Sequence, residues 1–192
     1  MLFGLKWQTP VEWVEVVSEN FGAFLVNHAD CERKAASMAM NLIGKHSYHT
    51  ELVQKMSLLA TEEMEHFQKV FNYCQELKVR FSFVKSSEYT NELFTMIRRK
   101  KPKELLTDKL LIASLVEARS CERFYLLSEN LEDKEKRNFY KFFFQAEAKH
   151  HSLFIDLAKL YEKPALVETR LEELKDKEAE VISQIPFSAK VH

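Results

Sequence analysis

A Glu-x-x-His motif occurs twice in this chain, as Glu63-Met64-Glu65-His66 and as Glu147-Ala148-Lys149-His150. Each copy has a glutamate upstream at nearly the same distance: Glu32 stands 31 residues before Glu63, and Glu117 stands 30 before Glu147. Residues three apart share a helix face, so each motif aims a carboxylate and an imidazole at one point. One such motif carries little meaning; two, each with a partner glutamate on another helix, make the donor set of a carboxylate-bridged two-metal site inside a four-helix bundle. Four carboxylates and two imidazoles suit iron or manganese better than zinc or copper. Six protein donors on two ions leave positions for dioxygen and water. Such a centre attacks unactivated C–H bonds, which no side-chain acid, base or nucleophile does. The protein's share is position and a dry cavity.

The elements that must hold these donors are long helices. Three glycines and four prolines in 192 residues leave few breakers. Thr9-Pro10-Val11-Glu12 reads as a capping box opening helix 1, which the pattern carries from Pro10 to about Ile43, before Gly44. Helix 2 is expected from about Tyr48 to Leu77, helix 3 from Lys103 to Glu129 and helix 4 from Asp133 to Tyr161. The connection from Val79 to Lys103, with a short helix at Glu88 to Arg98, is the crossover of such a bundle. Pro164 opens an extra, strongly charged C-terminal helix, about 165–185, expected to dock through Leu166, Leu171, Leu174 and Val181. The predicted fold is all-α: one domain over residues 1–192, with a four-helix bundle at about 10–161, a long crossover between helices 2 and 3, and the C-terminal helix.

The faces carrying the donors are apolar. Leu25, Ala29, Ala36 and Ala39 flank Glu32; Met56, Leu59, Ala60 and Val70 flank Glu63. Leu110, Ala113, Cys121 and Phe124 flank Glu117; Tyr140, Phe143, Phe144 and Phe154 flank Glu147. A buried carboxylate costs several kcal/mol or takes up a proton, so four at one level call for cations between them. The repeat Cys31-Glu32-Arg33 and Cys121-Glu122-Arg123 would make Glu122 the counterpart of Glu32. Helix length decides for Glu117. It lies 13 residues from the turn near Asn130, against 16 from there to Glu147; Glu122 lies only 8 from that turn. At ~1.5 Å per residue Glu122 falls several ångströms off the level, and it is expected to pair with a basic side chain. His28, one turn before Glu32, is expected to hydrogen-bond near the site. His151 reads as a second-shell or surface residue, and Cys31 and Cys121 as core packing.

Composition excludes other classes. The net charge of −1 argues against a generally basic nucleic-acid binder, although Arg98-Arg99-Lys100-Lys101-Pro102-Lys103 is a local basic run. Three cysteines without a C-x-x-C pair encode no disulfide framework, rubredoxin-like centre or zinc ribbon, and fit reduced thiols in the cytoplasm. No apolar run approaches the roughly 20 residues a membrane span needs, and the first residues lack a signal peptide's pattern.

The chain resembles the MiaE-type tRNA-(2-methylthio-N6-isopentenyl-adenosine) hydroxylases of the ferritin-like di-iron superfamily. The resemblance covers nearly the whole chain. It rests on Thr9-Pro10-Val11-Glu12-Trp13, the stretch Asn27-His28-Ala29-Asp30-Cys31-Glu32-Arg33-Lys34-Ala35-Ala36, and Glu62-Glu63-Met64-Glu65-His66-Phe67. It continues through Val116-Glu117-Ala118-Arg119-Ser120-Cys121-Glu122-Arg123-Phe124, Phe139-Tyr140, Glu147-Ala148-Lys149-His150-His151 and the final Val191-His192. The departures are Lys149, where arginine is usual, and the weakly basic tail Ile185–Lys190; neither touches a donor.

The resemblance implies O2-dependent hydroxylation of the isopentenyl side chain on the modified adenosine beside the anticodon. Glu32, Glu63, His66, Glu117, Glu147 and His150 would hold two iron ions, with Glu63 and Glu147 bridging. Phe67, Phe143 and Phe144 would receive the prenyl group, and Arg98, Arg99, Lys100 and Lys101 would hold anticodon-loop phosphates. O2 is the implied co-substrate, tRNA the partner, and a reductase or ferredoxin the external electron donor. Two other readings share the donor set: a different di-iron oxidase, acting on a quinone or peroxide, and a non-catalytic iron-storage bundle. A quinone enzyme should present an apolar membrane-facing surface, whereas the helix edges here are charged.

Overall fold

The computed structural model describes residues 2–82 and 87–192. After a short 3-10 turn at Leu2–Gly4 come α1 (Trp13–Glu19), α2 (Phe21–Lys45), α3 (Thr50–Glu76), α4 (Glu88–Thr95), α5 (Pro102–Asn130), α6 (Lys134–Glu147), α7 (His150–Tyr161) and α8 (Pro164–Gln184). The described residues fall into two compact units. One comprises residues 17–82 with 189–191, and the other residues 2–16, 87–188 and 192.

The first unit is a helical hairpin of α2 and α3. The carbonyls of Leu42 and Ile43 accept the N–H of His46 and close α2. α3 ends in a Schellman motif: Lys78 adopts φ 54°, its N–H reaches Gln75 O, and Val79 N–H reaches Cys74 O. Gly22 allows Val79 to pack on α2, since a Cβ there would come within 3.2 Å of the valine. Leu25, Ala29, Ala36 and Ala39 from α2 and Leu52, Met56, Leu59 and Val70 from α3 are buried. These are the apolar stripes expected around Glu32 and Glu63.

The second unit is organised on α5, whose inward residues Leu110, Leu111, Ala118, Cys121 and Phe124 are buried. α6, α7 and α8 pack on α5. Pro102 and Pro164 occupy the first turns of α5 and α8, where a missing N–H costs nothing. Asp133 caps α6 by accepting the N–H groups of Glu135 and Lys136 at 2.8 and 3.1 Å.

Four expectations need correction. Helix 1 is not continuous from Pro10: it breaks at Asn20 (φ −122°), giving α1 and α2. The capping box does not form. Thr9 turns its N–H and hydroxyl onto Glu122 at 2.6 and 2.8 Å, and α1 starts only at Trp13. Helix 4 is interrupted at Ala148 and Lys149, whose backbone stays right-handed (φ −55° and −91°), so the hydrogen bonding loosens without a turn. In α8 the buried stripe is Val167, Arg170, Leu171, Leu174, Glu178 and Ile182, while Leu166 is exposed and Val181 half-buried. Hydrophobicity alone misplaces that face because two of its members are charged.

Candidate metal centre

Each unit carries half of the predicted donor set. In the α2–α3 hairpin, Glu32, Glu63 and His66 are buried, and each offers a donor atom within 4.8 Å of the others. His66 Nδ1 lies 3.8 Å from Glu32 Oε2 and 3.8 Å from Glu63 Oε2. His28, fully buried one turn before Glu32, places Nε2 2.6 Å from Glu32 Oε1. Burial, and then the neighbouring His66, lower the His28 pKa well below its ordinary value against the pull of Glu63. His28 is therefore neutral, and its Nε2 edge lies against the carboxylate.

In the second unit, Glu117, Glu147 and His150 are likewise buried, with donor atoms within 4.8 Å of one another. His150 Nδ1 lies 2.5 Å from Glu147 Oε2, so the three-residue spacing survives the interruption at Ala148 and Lys149. Cys121, one turn beyond Glu117, donates its thiol to Phe144 O at 3.5 Å. Burial, followed by the charges of Glu147 and Glu117, pushes the Cys121 thiol far up. It stays protonated, whereas a metal-binding cysteine must be a thiolate.

Two acidic oxygens and an imidazole drawn together in a dry interior fit a cation. Desolvation and mutual repulsion raise the cost of their charges, and a divalent ion relieves both. The hard oxygen donors and the imidazole are compatible with iron.

The other singled-out residues have different surroundings. Glu122 accepts from Thr9 and from Arg119 Nη1, the latter at 3.0 Å. Arg119, fully buried, also donates to both oxygens of Glu178 at 3.0 and 3.1 Å and to Trp7 O. The Tyr89 hydroxyl donates to Glu178 at 2.9 Å. Composition hid this network, because its partners are more than fifty residues apart along the chain; its one local signal was the three-residue step from Arg119 to Glu122. His151 lies half-buried against the Ser114 hydroxyl at 3.0 Å. Cys31 is half-buried, its thiol 3.8 Å from Asn27 Oδ1.

In the basic run, Arg98 forks onto buried Asp108 at 2.7–3.2 Å, an acceptor it shares with Arg170. The whole run is exposed; Lys101 pairs with Glu104 and Lys103 with Glu162, while Arg99 and Lys100 form no ion pair among the described residues. Of the three phenylalanines, Phe143 is buried among Phe124, Phe139 and Tyr140. Phe144 packs against Tyr125 and Phe3, and Phe67 stacks on Phe71 at 6.0 Å.

The fold class is all-α and ferritin-like. A solved structure titled "Protein 43 with aldehyde deformylating oxygenase activity from Synechococcus" matches with a TM-score of 0.92 and 31% sequence identity, covering 98% of this chain and 94% of that one. The model of the family described as tRNA-(MS[2]IO[6]A)-hydroxylase (MiaE) matches residues 2–192, and the chain belongs to that family. A Pseudomonas putida tRNA 2-(methylsulfanyl)-N(6)-isopentenyladenosine(37) hydroxylase is 33% identical over 184 residues, 96% of this chain and 89% of that protein. A Salmonella typhimurium protein of the same description is 28% identical over 155 residues, 81% of this chain and 55% of the longer relative. The chain is thus an enzyme of the tRNA hydroxylase family. No helix among the described residues is long and apolar enough to cross a membrane.

Proposed function

We propose that this chain hydroxylates the isopentenyl side chain of 2-methylthio-N6-isopentenyl-adenosine in tRNA, next to the anticodon. The observation that carries the reading is family membership over residues 2–192, with both expected donor trios buried and gathered in their units. The family match favours this reading over the quinone, peroxide and iron-storage alternatives.

Glu32, Glu63, His66, Glu117, Glu147 and His150 are assigned as the ligands of two iron ions. Iron held there would supply the redox chemistry of a monooxygenation, in which O2, two electrons from an external reductase or ferredoxin and two protons convert the C–H bond to an alcohol and release water. The chain's own residues do the rest. The buried His28 imidazole, 2.6 Å from Glu32 Oε1, positions that carboxylate. Cys121 remains a thiol and leaves the metal positions to oxygen and nitrogen donors. The packed α5 and α6 faces, with Phe124 and Phe143 in contact, exclude water. Arg99 and Lys100, the members of the basic run that form no ion pair among the described residues, are assigned to tRNA phosphates. The reaction takes place in the cytoplasm, where tRNA is found.

The test is mass analysis of tRNA nucleosides from cells lacking the gene, paired with reconstitution using iron, a reductase, O2 and prenylated tRNA. Loss of only the hydroxylated nucleoside in vivo, and its formation in vitro, is the expected result. An unchanged nucleoside profile, with no product from iron-loaded protein, would refute the function.

A further inference from the structure

Within the α2–α3 hairpin lies an open groove of about 1050 Å³. Its position relative to the ligands follows from helix spacing. Ala36 is one turn beyond Glu32 on α2, Ala60 is one turn before Glu63 on α3, and Phe67 is one turn after Glu63. Two alanines thus line the groove beside two carboxylates, where a longer side chain would fill it. The volume stands at the top of the roughly 300–1,000 Å³ range of small-ligand pockets.

Its chemistry is unusual for this chain. Charged residues make up 30% of the sequence, yet among the described residues Glu65 is the single charged side chain lining the groove. Gln68 and Asn72 offer exposed amides, each with donors and acceptors. The hydroxyls of Ser57 and Thr61 donate to the helix carbonyls of Gln54 and Ser57, which leaves their lone pairs to accept. Phe67 and Phe71 form a ring wall, braced edge-on by Phe81 at 6.1 and 5.6 Å. Met40 and Met64 present polarizable thioethers at the rim, 59% and 46% exposed.

We infer that this groove seats the modified adenine, base and substituents, during the reaction; the inference rests on the tRNA hydroxylase reading. Phosphates require cations, and none lines the groove among the described residues, so an uncharged part of the RNA is the matching occupant. Single-stranded loops are recognised by splayed bases that stack on aromatic rings and hydrogen-bond to polar side chains. The prenylated N6 keeps one N–H, which the Thr61 oxygen accepts; the Gln68 amide faces the ring nitrogens, and the methylthio and prenyl groups lie on the methionines and phenylalanines. The adjacent level of Glu32 and Glu63 then brings the prenyl chain to the ligands.

The test is equilibrium dialysis of the free 2-methylthio-N6-isopentenyl-adenosine nucleoside against iron-loaded full-length protein without O2. Thr61→Trp, which drops an indole into the groove from an exposed position, should weaken binding at least tenfold while iron content and thermal midpoint stay at wild-type values. Gln68→Ala should weaken it several-fold. Leu58→Trp, exposed on α3 but outside the groove, should bind as wild type. Wild-type affinity in Thr61→Trp, with the wild-type protein still hydroxylating prenylated tRNA, would overturn the groove assignment and leave the function standing; the groove would then suit a partner helix instead. If iron-loaded wild-type protein neither binds the nucleoside nor turns over prenylated tRNA, the hydroxylase reading fails and the groove assignment falls with it.

Discussion

Glu117 and Glu122 stand five residues apart on α5, both buried, and have opposite surroundings. Glu122 is held by a guanidinium, a hydroxyl and a backbone N–H. Arg119 ties it to Glu178 on α8, and the N-terminal segment closes over it through Thr9 and Trp7. Glu117 instead shares its space with the Glu147 carboxylate and the His150 imidazole. The lesson is that burial alone does not mark a metal ligand. An acid whose charge is met by arginine is a structural joint. Acids drawn against other acids and imidazoles form a site that a cation completes.

The largest expected effect falls on the metal side of this comparison. Glu117→Ala should reduce iron from about two per chain toward none and abolish turnover. Glu122→Ala should retain iron in the folded protein. Iron analysis and the absorption spectrum of anaerobically loaded samples check both. Loss of iron in Glu122→Ala with retention in Glu117→Ala would reverse the two roles.

On stability the order inverts. Removing Glu122 leaves Arg119 buried beside one acid rather than two, and breaking such a buried pair costs about 3–5 kcal/mol. Denaturant unfolding of the metal-free proteins should therefore place Glu122→Ala well below Glu117→Ala, whose substitution relieves repulsion. Equal midpoints would show that the arginine network contributes little.

Asp108 extends the comparison to a second matched acid. Burial drives its pKa up, but the hydrogen bonds from Arg98 and Arg170 outweigh it and hold the carboxyl below its ordinary value. A depressed folded pKa contributes stability above the unfolded value of about 3.9. That contribution is lost as pH falls through the folded value. Wild-type stability should thus decline below about pH 4, and Asp108→Asn should flatten that acid limb. At neutral pH the variant should lose about 1–3 kcal/mol through its weakened charge-assisted hydrogen bonds. An unchanged acid limb in urea titrations across pH 3–6 would count against this.

The smallest effect is expected where cations face solvent. Arg98 is committed to Asp108, so the RNA contribution of the basic run falls to Arg99 and Lys100. Arg99→Ala with Lys100→Ala should weaken tRNA binding several-fold and reduce the salt slope by about two. Folding stability should stay within about 0.5 kcal/mol, and iron content should be unchanged. Unaltered affinity and salt slope would make the run a solvated loop.

Much of this molecule is legible in the order of its residues, because helix periodicity is local. Glu63 with His66 and Glu147 with His150 share faces by spacing alone, and the apolar stripes around them forecast their burial. Counting residues to the turns likewise separated Glu117 from Glu122. Tertiary structure decided what distant partners do to local signals. Thr9 leaves its capping box because Glu122 offers its N–H and hydroxyl a stronger acceptor. Arg98 leaves the basic run for Asp108. The inward face of α8 is set by Arg170 and Glu178, whose burial depends on Asp108 and on Arg119. A charged side chain reads as surface until its partner is known. That partner is brought near only by folding, so spacing within a helix reveals which acids and imidazoles share a face, while the pairing of charges between helices belongs to the fold.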